Sequence, residues 1–203
     1  MRVAGWVVVI AVMAALGDQV LASSSSPAAS PIEVLRSVHR SEPRPLRGER
    51  RGALGEAGGA VPPGTTVFAD GVPGVARLDP DLLRALRRAA TAAAGDGVEL
   101  VVDSGWRSPA YQAQLLQDAV AKYGSERAAA RWVATPSTSA HVSGDAVDLG
   151  SSAAAWLSEH GAAYGLCQIY ANEPWHYELR STAHGCPPMY ADPTQDPRLQ
   201  QSR

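Results

Sequence analysis

This sequence of 203 residues contains few cysteines, little net charge and few long apolar runs. The formal net charge is only -2. We therefore expect no nucleic-acid partner, because proteins that bind nucleic acid normally carry a basic patch or stripe. The apolar run near the N-terminus, residues 3–16, falls short of the roughly 20 residues needed to cross a bilayer core. No internal repeat is visible. The length fits one domain with extensions.

The apolar run near the N-terminus has the features of a secretory signal. Arg2 supplies the positive charge that precedes such a run, and Leu21 and Ala22 lie in a segment that resembles a small-residue cleavage site. Residues 1–22 are therefore predicted to be a signal peptide, with an uncleaved membrane anchor as the alternative. In both cases the protein is secreted or attached to the cell envelope, and only the N-terminal segment would contact the membrane.

The two cysteines, Cys167 and Cys186, are predicted to form a disulfide bond. An even number of cysteines in an exported protein favours a bridge. The loop that it closes contains Glu173 and His176. Two buried free thiols are the alternative.

Apolar residues are unevenly distributed along the chain, which predicts its domain organisation. Residues 23–66 are rich in Ser, Pro, Gly and Arg, and contain few large apolar side chains to offset the entropy of ordering. We predict a flexible spacer there. Residues 67–192 are predicted to form the working domain. Residues 193–203 show no apolar pattern and are predicted to be a loosely ordered tail.

The pattern within residues 67–192 predicts a small α+β domain with a short antiparallel sheet flanked by helices. A helix is predicted between Asp79, a candidate N-cap, and the stop at Gly95, and a second between Ser108 and Gly124. The other predicted helices are residues 125–133 and 151–164, and the predicted strands are residues 98–102, 146–149, 167–170 and 175–179.

Two separated segments supply residues that suit a zinc ion. The first contains His141 and Asp148, and the second contains Glu173 and His176. Two imidazoles and one carboxylate make three protein ligands, which is typical of catalytic zinc sites that leave a position open for water. An acid such as Asp148 in an apolar strand is costly to bury unless it is paired or binds a metal. Asp145 is the nearest rival ligand and is expected to be solvated.

Glu173 is the carboxylate left over when the three ligands are assigned. Zinc lowers the pKa of bound water to about 7, and a nearby carboxylate can then take the proton. We therefore predict that Glu173 is the general base. The alternative is that it caps a turn or binds a surface arginine.

Arg107 follows the strand predicted at residues 98–102. A guanidinium at the end of a strand is suited to a developing oxyanion or to the terminal carboxylate of a substrate. A salt bridge to a neighbouring acid is the alternative.

Three blocks of this sequence resemble the VanY-like D-alanyl-D-alanine carboxypeptidases, which are zinc peptidases with a small α+β fold. The blocks are residues 104–108 together with Gln112, residues 139–148, and residues 173–176, and the resemblance extends over about residues 67–190. It implies one zinc ion bound by His141, Asp148 and His176, with Glu173 as general base, Arg107 binding and polarising the substrate, and Gln112 and Ser139 contacting the substrate. The long leader and the cysteine pair are not part of this family pattern.

The expected function is therefore zinc-dependent hydrolysis of peptide bonds next to D-alanine in peptidoglycan stem peptides, by a monomer. A peptidoglycan endopeptidase of the same fold is the nearest alternative. A wall-binding module that keeps zinc without catalysis is another, but a structural zinc site has no use for an extra acid such as Glu173.

Overall fold

The computed structural model describes residues 54–180 and 185–200. The predicted signal peptide and residues 23–53 of the predicted spacer lie outside the described residues. Within the described ranges the α-helices are α1 (Pro73–Ala76), α2 (Pro80–Gly95), α3 (Pro109–Tyr123), α4 (Glu126–Ala129), α5 (Ala140–Ser143) and α6 (Ser151–His160), and the strands are β1 (Val102–Ser104), β2 (Ala146–Leu149), β3 (Leu166–Gln168) and β4 (His176–Leu179). None of these helices combines the length and the apolar character that a membrane span requires.

The two long helices begin and end where the sequence predicts. The side chain of Asp79 accepts hydrogen bonds from the first backbone amides of α2, and that of Ser108 caps α3 in the same way. Each cap is followed by a proline at the first helical position, where no amide hydrogen is needed. At the other end, Gly124 takes the left-handed conformation that closes α3.

The four strands form one antiparallel sheet in the order β1-β2-β4-β3. This confirms the predicted α+β class with a short antiparallel sheet. In the register of β2 and β4, Asp148 lies opposite His176, and Val147 lies opposite Tyr177. Since successive side chains of a strand point to opposite faces, the first pair lies on one face of the sheet and the second on the other.

The hydrophobic core lies on the face of the sheet that carries Val147 and Tyr177. Apolar side chains of α2 and α6, among them Leu86 and Leu157, pack with these strand residues in one buried cluster. The hydroxyl of Tyr177 donates a hydrogen bond to the carbonyl of Ala154 in α6, at 2.8 Å. The core therefore covers one face of the sheet and leaves Asp148 and His176 on the other.

Ordered structure extends beyond both predicted ends of the domain. The sequence predicts that residues 54–66 belong to the flexible spacer, but Gly58 is buried, Val61 packs on the core, and Thr66 forms a β-bridge with Val101. This segment is held by backbone hydrogen bonds and close backbone packing, not by large side chains, which is why its composition was misleading.

Residues 193–200 are also ordered, contrary to the prediction of a loose tail. They form two short 3-10 helices, Pro193–Gln195 and Pro197–Leu199, and Asp196 between them is fully buried. Residues 201–203 lie outside the described residues.

Three predicted elements differ most from the structure. The helix predicted at residues 125–133 is the single turn α4, and the helix predicted at residues 151–164 is α6 followed by the 3-10 helix Gly161–Tyr164. The strand predicted at residues 98–102 begins only at Val102, so most of this apolar run is outside β1.

Cys167 and Cys186 form the predicted disulfide bond. Cys167 lies on β3 beside β4, and it is almost fully buried with Ile169 and Tyr170. Because the cross-link closes a loop of about 20 residues, the double variant Cys167→Ala/Cys186→Ala should lower the free energy of unfolding by roughly 2–4 kcal/mol. Urea unfolding measures this.

Reduced wild-type protein is the control for the lost disulfide, since it keeps both sulfur atoms. It should lose nearly as much stability as the double variant. An unchanged unfolding midpoint after complete reduction would contradict a stabilising role for the bridge.

Candidate metal centre

His141, Asp148 and His176 converge on one point at the polar face of the sheet. Each can offer a ligand atom, and these three atoms all lie within 4.8 Å of one another. Asp148 Oδ1 is 3.3 Å from His141 Nε2 and 3.1 Å from His176 Nδ1. All three residues are buried. The structure thus brings together the three residues that the sequence predicted as ligands.

His141 is positioned by the single helical turn α5. Gly144 ends this turn with a φ of 86°, and a Cβ atom there would lie 2.6 Å from the carbonyl oxygen of Arg77. Only glycine fits this conformation without displacing the backbone. The ring is fixed by a 2.8 Å contact between Nδ1 and the carbonyl oxygen of Gly105. Since a carbonyl oxygen only accepts, Nδ1 carries the hydrogen and Nε2 presents its lone pair to the shared point.

His176 presents its other ring nitrogen to the same point. Its Nε2 lies 3.3 Å from Oε1 of the buried Glu178, while its Nδ1 faces Asp148. Both ring nitrogens therefore face a carboxylate oxygen, and a metal ion bound at Nδ1 would leave the hydrogen on Nε2, where Glu178 accepts it. Burial alone would lower the pKa of His176, but hydrogen bonds to Asp148 and Glu178 raise it to about 9. The position is therefore favourable for positive charge.

Asp148 is held as an anion between its neighbours. Burial would raise its pKa, but His141, His176 and the Arg107 guanidinium hold the pKa well below the usual range of a carboxyl group. Arg107 donates from Nη2 to Asp148 Oδ2 at 2.7 Å, which leaves Oδ1 facing the two imidazoles. By contrast, burial followed by the charge of Arg107 lowers the pKa of His141, which keeps that ring neutral.

Glu173 lies next to this cluster. Its Oε2 is 3.9 Å from Nδ1 of His176, and its side chain is largely shielded from solvent. Burial raises the pKa of Glu173 to about 7. A carboxylate of that basicity can accept a proton near neutral pH, as a general base must.

Arg107 forms a network of contacts at the end of β1. Besides Asp148, it donates from Nε to Ser104 Oγ at 2.8 Å and from Nη1 to Gln112 Oε1 at 3.2 Å. The salt bridge considered as an alternative from the sequence is therefore present. Its partner is Asp148, so Arg107 contacts the candidate metal site directly.

Gln112 differs from its expected role as a substrate contact. Its side chain is 1% exposed. Its Nε2 donates to the carbonyl of Ala134 at 2.8 Å, while its Oε1 accepts from Arg107. Because both ends of the amide are engaged inside the protein, Gln112 positions Arg107 in this structure.

Ser139 and Asp145 flank His141 and Asp148 in sequence. Ser139 precedes α5, and its hydroxyl makes no capping hydrogen bond to that helix. Its predicted contact with substrate stays a prediction. Asp145 is exposed and accepts a hydrogen bond from Ser143 at 2.6 Å, so it lies outside the cluster, which supports Asp148 as the ligand.

Sequence reasoning missed two residues that contact the centre, Ser104 and Glu178. The alternation of side chains in β4 could have identified Glu178, since residues two apart on a strand share a face. Ser104 lies in the block of residues 104–108 that resembles the family, but its residue type gave no reason to assign it a role, because a serine at the end of a strand is common.

The donor set fits zinc. Two imidazole nitrogens and one carboxylate oxygen are the ligands of many catalytic zinc sites. Each ring has a hydrogen-bond partner on the nitrogen that faces away from the shared point, an arrangement typical of metal-binding histidines. The acid beside the cluster, Glu173, is a group that can accept a proton near neutral pH.

Comparisons with known proteins point to one family. A family model, that of VanY, D-alanyl-D-alanine carboxypeptidase, matches residues 75–181, which include the three candidate ligands and Glu173. A D-alanyl-D-alanine carboxypeptidase of Enterococcus faecalis is 35% identical, and the match covers 42% of this chain and 42% of that protein. The chain thus spans about two fifths of the length of this curated relative.

Two solved structures contain chains similar to this one. A mutant of the vancomycin-resistance D,D-pentapeptidase VanY in complex with Zn(II) is 31% identical, with a TM-score of 0.48, covering 51% of this chain and 73% of that one. The LD-carboxypeptidase LdcB is 25% identical, with a TM-score of 0.46, covering 53% of this chain and 61% of that one.

Proposed function

This chain belongs to the VanY family of D-alanyl-D-alanine carboxypeptidases, and from that premise we propose that it is an exported zinc peptidase acting on peptidoglycan stem peptides. The bond that it hydrolyses is the one before a C-terminal D-alanine. The observation that carries this proposal is the convergence of His141, Asp148 and His176 with Glu173 beside them. Residues 1–22 are proposed to direct export, which places the enzyme outside the cytoplasmic membrane.

Each residue of the site has a proposed task in hydrolysis. His141, Asp148 and His176 hold the zinc ion, which when bound supplies Lewis acidity to water and to the scissile carbonyl. Glu173 accepts the proton of the attacking water at its carboxylate and returns it to the departing amine of D-alanine. The proton is thus conserved over the cycle, and Glu173 ends as it began.

Arg107 has two proposed tasks that follow from its position. It keeps Asp148 Oδ2 occupied, so that Oδ1 remains directed at the two imidazoles. Its positive charge, close to the cluster and only 13% exposed, also stabilises negative charge that develops on the substrate carbonyl.

Arg107→Lys should lower kcat/KM by about 100-fold or more. This is the effect expected when one hydrogen-bond donor to a developing oxyanion is removed. A lysine ammonium cannot contact Ser104, Gln112 and Asp148 together as the planar guanidinium does. Steady-state kinetics on a D-alanine-terminated pentapeptide measure the change. Arg127→Lys, on the exposed part of α4, is the matched control and should keep full activity. Equal kinetics for both variants would contradict the tasks given to Arg107.

The proposed activity is tested by digesting isolated muropeptides with the purified, zinc-loaded protein and following products by mass spectrometry. A carboxypeptidase releases free D-alanine and leaves tetrapeptide stems. Cleavage within the stem or in a cross-bridge would identify an endopeptidase instead. Binding to sacculi without any cleavage would identify a wall-binding module.

A further inference from the structure

Glu178 is a buried acid beside the metal centre to which the proposed function gives no task. It follows His176 by two residues on β4, so both side chains lie on the polar face of the sheet. Opposite it in the register is Ala146, whose small side chain leaves room for the carboxylate. The side chain of Glu178 is 2% exposed, and its Oε1 lies 3.3 Å from Nε2 of His176.

Two arginines hold Glu178 in this position. Arg180 donates to Oε2 at 2.5 Å, from the end of the same strand. Arg198 contacts both oxygens, with Nη1 2.7 Å from Oε2 and Nη2 3.3 Å from Oε1. Such a two-point contact fixes the plane of a carboxylate as well as its place. The oxygen that faces His176 is therefore oriented by a residue twenty positions further along the chain.

Arg198 is in turn fixed by its own segment. Its Nε donates to Asp196 Oδ1 at 2.9 Å, and its Nη2 donates to Oδ2 of the same carboxylate. Asp196 is fully buried and accepts a further hydrogen bond from the hydroxyl of Tyr170 at 3.0 Å. The ring of Tyr170 lies against that of His176, with centroids 5.1 Å apart. The contacts thus form a closed network that runs from His176 through Glu178, Arg198, Asp196 and Tyr170 back to His176.

We propose that Arg198, acting through Glu178, is a positioning residue for His176, so that residues 192–199 are a working part of the metal centre. Glu178 keeps the hydrogen on Nε2 and the ring in one orientation, and Arg198 keeps Glu178 directed at the ring. This inference rests on the proposed function in one respect, namely that His176 is a zinc ligand.

A purely stabilising role explains the cluster less well. Buried ion pairs contribute little net stability, because the cost of desolvating the charges offsets their attraction. A carboxylate on the far nitrogen of a metal-binding histidine has a specific effect instead, since it fixes the tautomer and raises the basicity of the ligand.

The test is a double-mutant cycle on zinc affinity in the full exported chain, with Arg198→Ala, Glu178→Gln and the two combined. Chelator competition gives the zinc dissociation constant, and the visible absorption of Co2+ bound in place of zinc reports on ligand geometry. Each single variant should weaken zinc binding by about 10- to 100-fold and alter the Co2+ spectrum. The double variant should bind zinc only slightly more weakly than the weaker-binding single variant, because both changes break the same network of contacts.

The controls distinguish an effect on the position of His176 from a general loosening of residues 192–199. Arg131→Ala removes the ion pair between the exposed Arg131 and the buried Asp192, which anchors the same segment without contacting Glu178, and it should leave zinc affinity unchanged. Arg198→Lys should recover part of the loss. If Arg198→Ala proves unfolded by circular dichroism, the near-isosteric Glu178→Gln carries the test.

The inference is overturned if folded Glu178→Gln and Arg198→Ala both bind zinc within twofold of the wild type, or if their effects simply add. A wild-type protein that binds no zinc would instead overturn the proposed function, and the two failures are thereby distinguished.

Discussion

Glu173→Gln should abolish nearly all hydrolysis while leaving zinc bound. The amide has almost the shape of the carboxylate but cannot accept the proton of water, and a positioned general base typically contributes 10²–10⁴-fold to a rate. We therefore expect kcat to fall by about that factor. Because Glu173 is not among the three ligand residues, the zinc content of the variant should equal that of the wild type. Release of D-alanine and metal analysis on the same sample measure both quantities.

The matched control is Glu159→Gln, an exposed glutamate on α6. It should keep full activity and full zinc content. A Glu173→Gln variant that retains most of its activity would remove the general base from the mechanism. A variant that loses activity together with its zinc would show that Glu173 acts through the metal and not as a proton acceptor.

Asp148→Asn should remove tight zinc binding. The substitution preserves the volume of the side chain but takes away the charge that faces two imidazoles and the Arg107 guanidinium. Residues that hydrogen-bond to a metal ligand already contribute about 10- to 100-fold to metal affinity. Loss of a charged ligand should therefore raise the zinc dissociation constant by more than about 100-fold. Chelator competition at fixed pH gives the value.

Asp145→Asn is the control for this change. Asp145 lies three positions earlier and is exposed, with a hydrogen bond to Ser143. Its removal should leave zinc affinity within twofold of the wild type. If instead Asp145→Asn loses zinc and Asp148→Asn retains it, the ligand assignment is wrong.

The candidate ligands could be predicted from the sequence because their chemistry is concentrated in short blocks. A histidine before a glycine turn, an aspartate inside an apolar strand and a Glu-x-x-His segment each stand out against their surroundings. The convergence of Asp148 and His176 then follows from the antiparallel pairing of β2 and β4. That pairing depends on contacts remote in sequence, so the structure was needed to establish it.

The two ends of the domain could not be placed from composition. Residues 54–66 contain small residues and glycine, and they pack by close backbone approach: a Cβ on Gly59 would lie 2.2 Å from the carbonyl oxygen of Trp106. The C-terminal segment is held by ion pairs of Arg198 and by the buried Asp196. Neither mechanism produces the apolar periodicity from which an ordered segment is recognised.

Gln112 shows a different limit of sequence reasoning. The resemblance to a family indicates that the residue matters at the site, but it does not say which way the side chain points. In the structure the amide is turned inward and supports Arg107. Contacts of this kind depend on side-chain packing, which neither spacing nor motif determines.

Zinc K-edge X-ray absorption of the protein loaded with one equivalent of metal reports directly on the three proposed ligands. We expect a nearest shell of nitrogen and oxygen only, at about 2.0–2.1 Å, with the outer-shell scattering of two imidazole rings. Sulfur scattering near 2.3 Å, or a shell without imidazole, would contradict it, because the ion would then be bound somewhere other than between His141, Asp148 and His176.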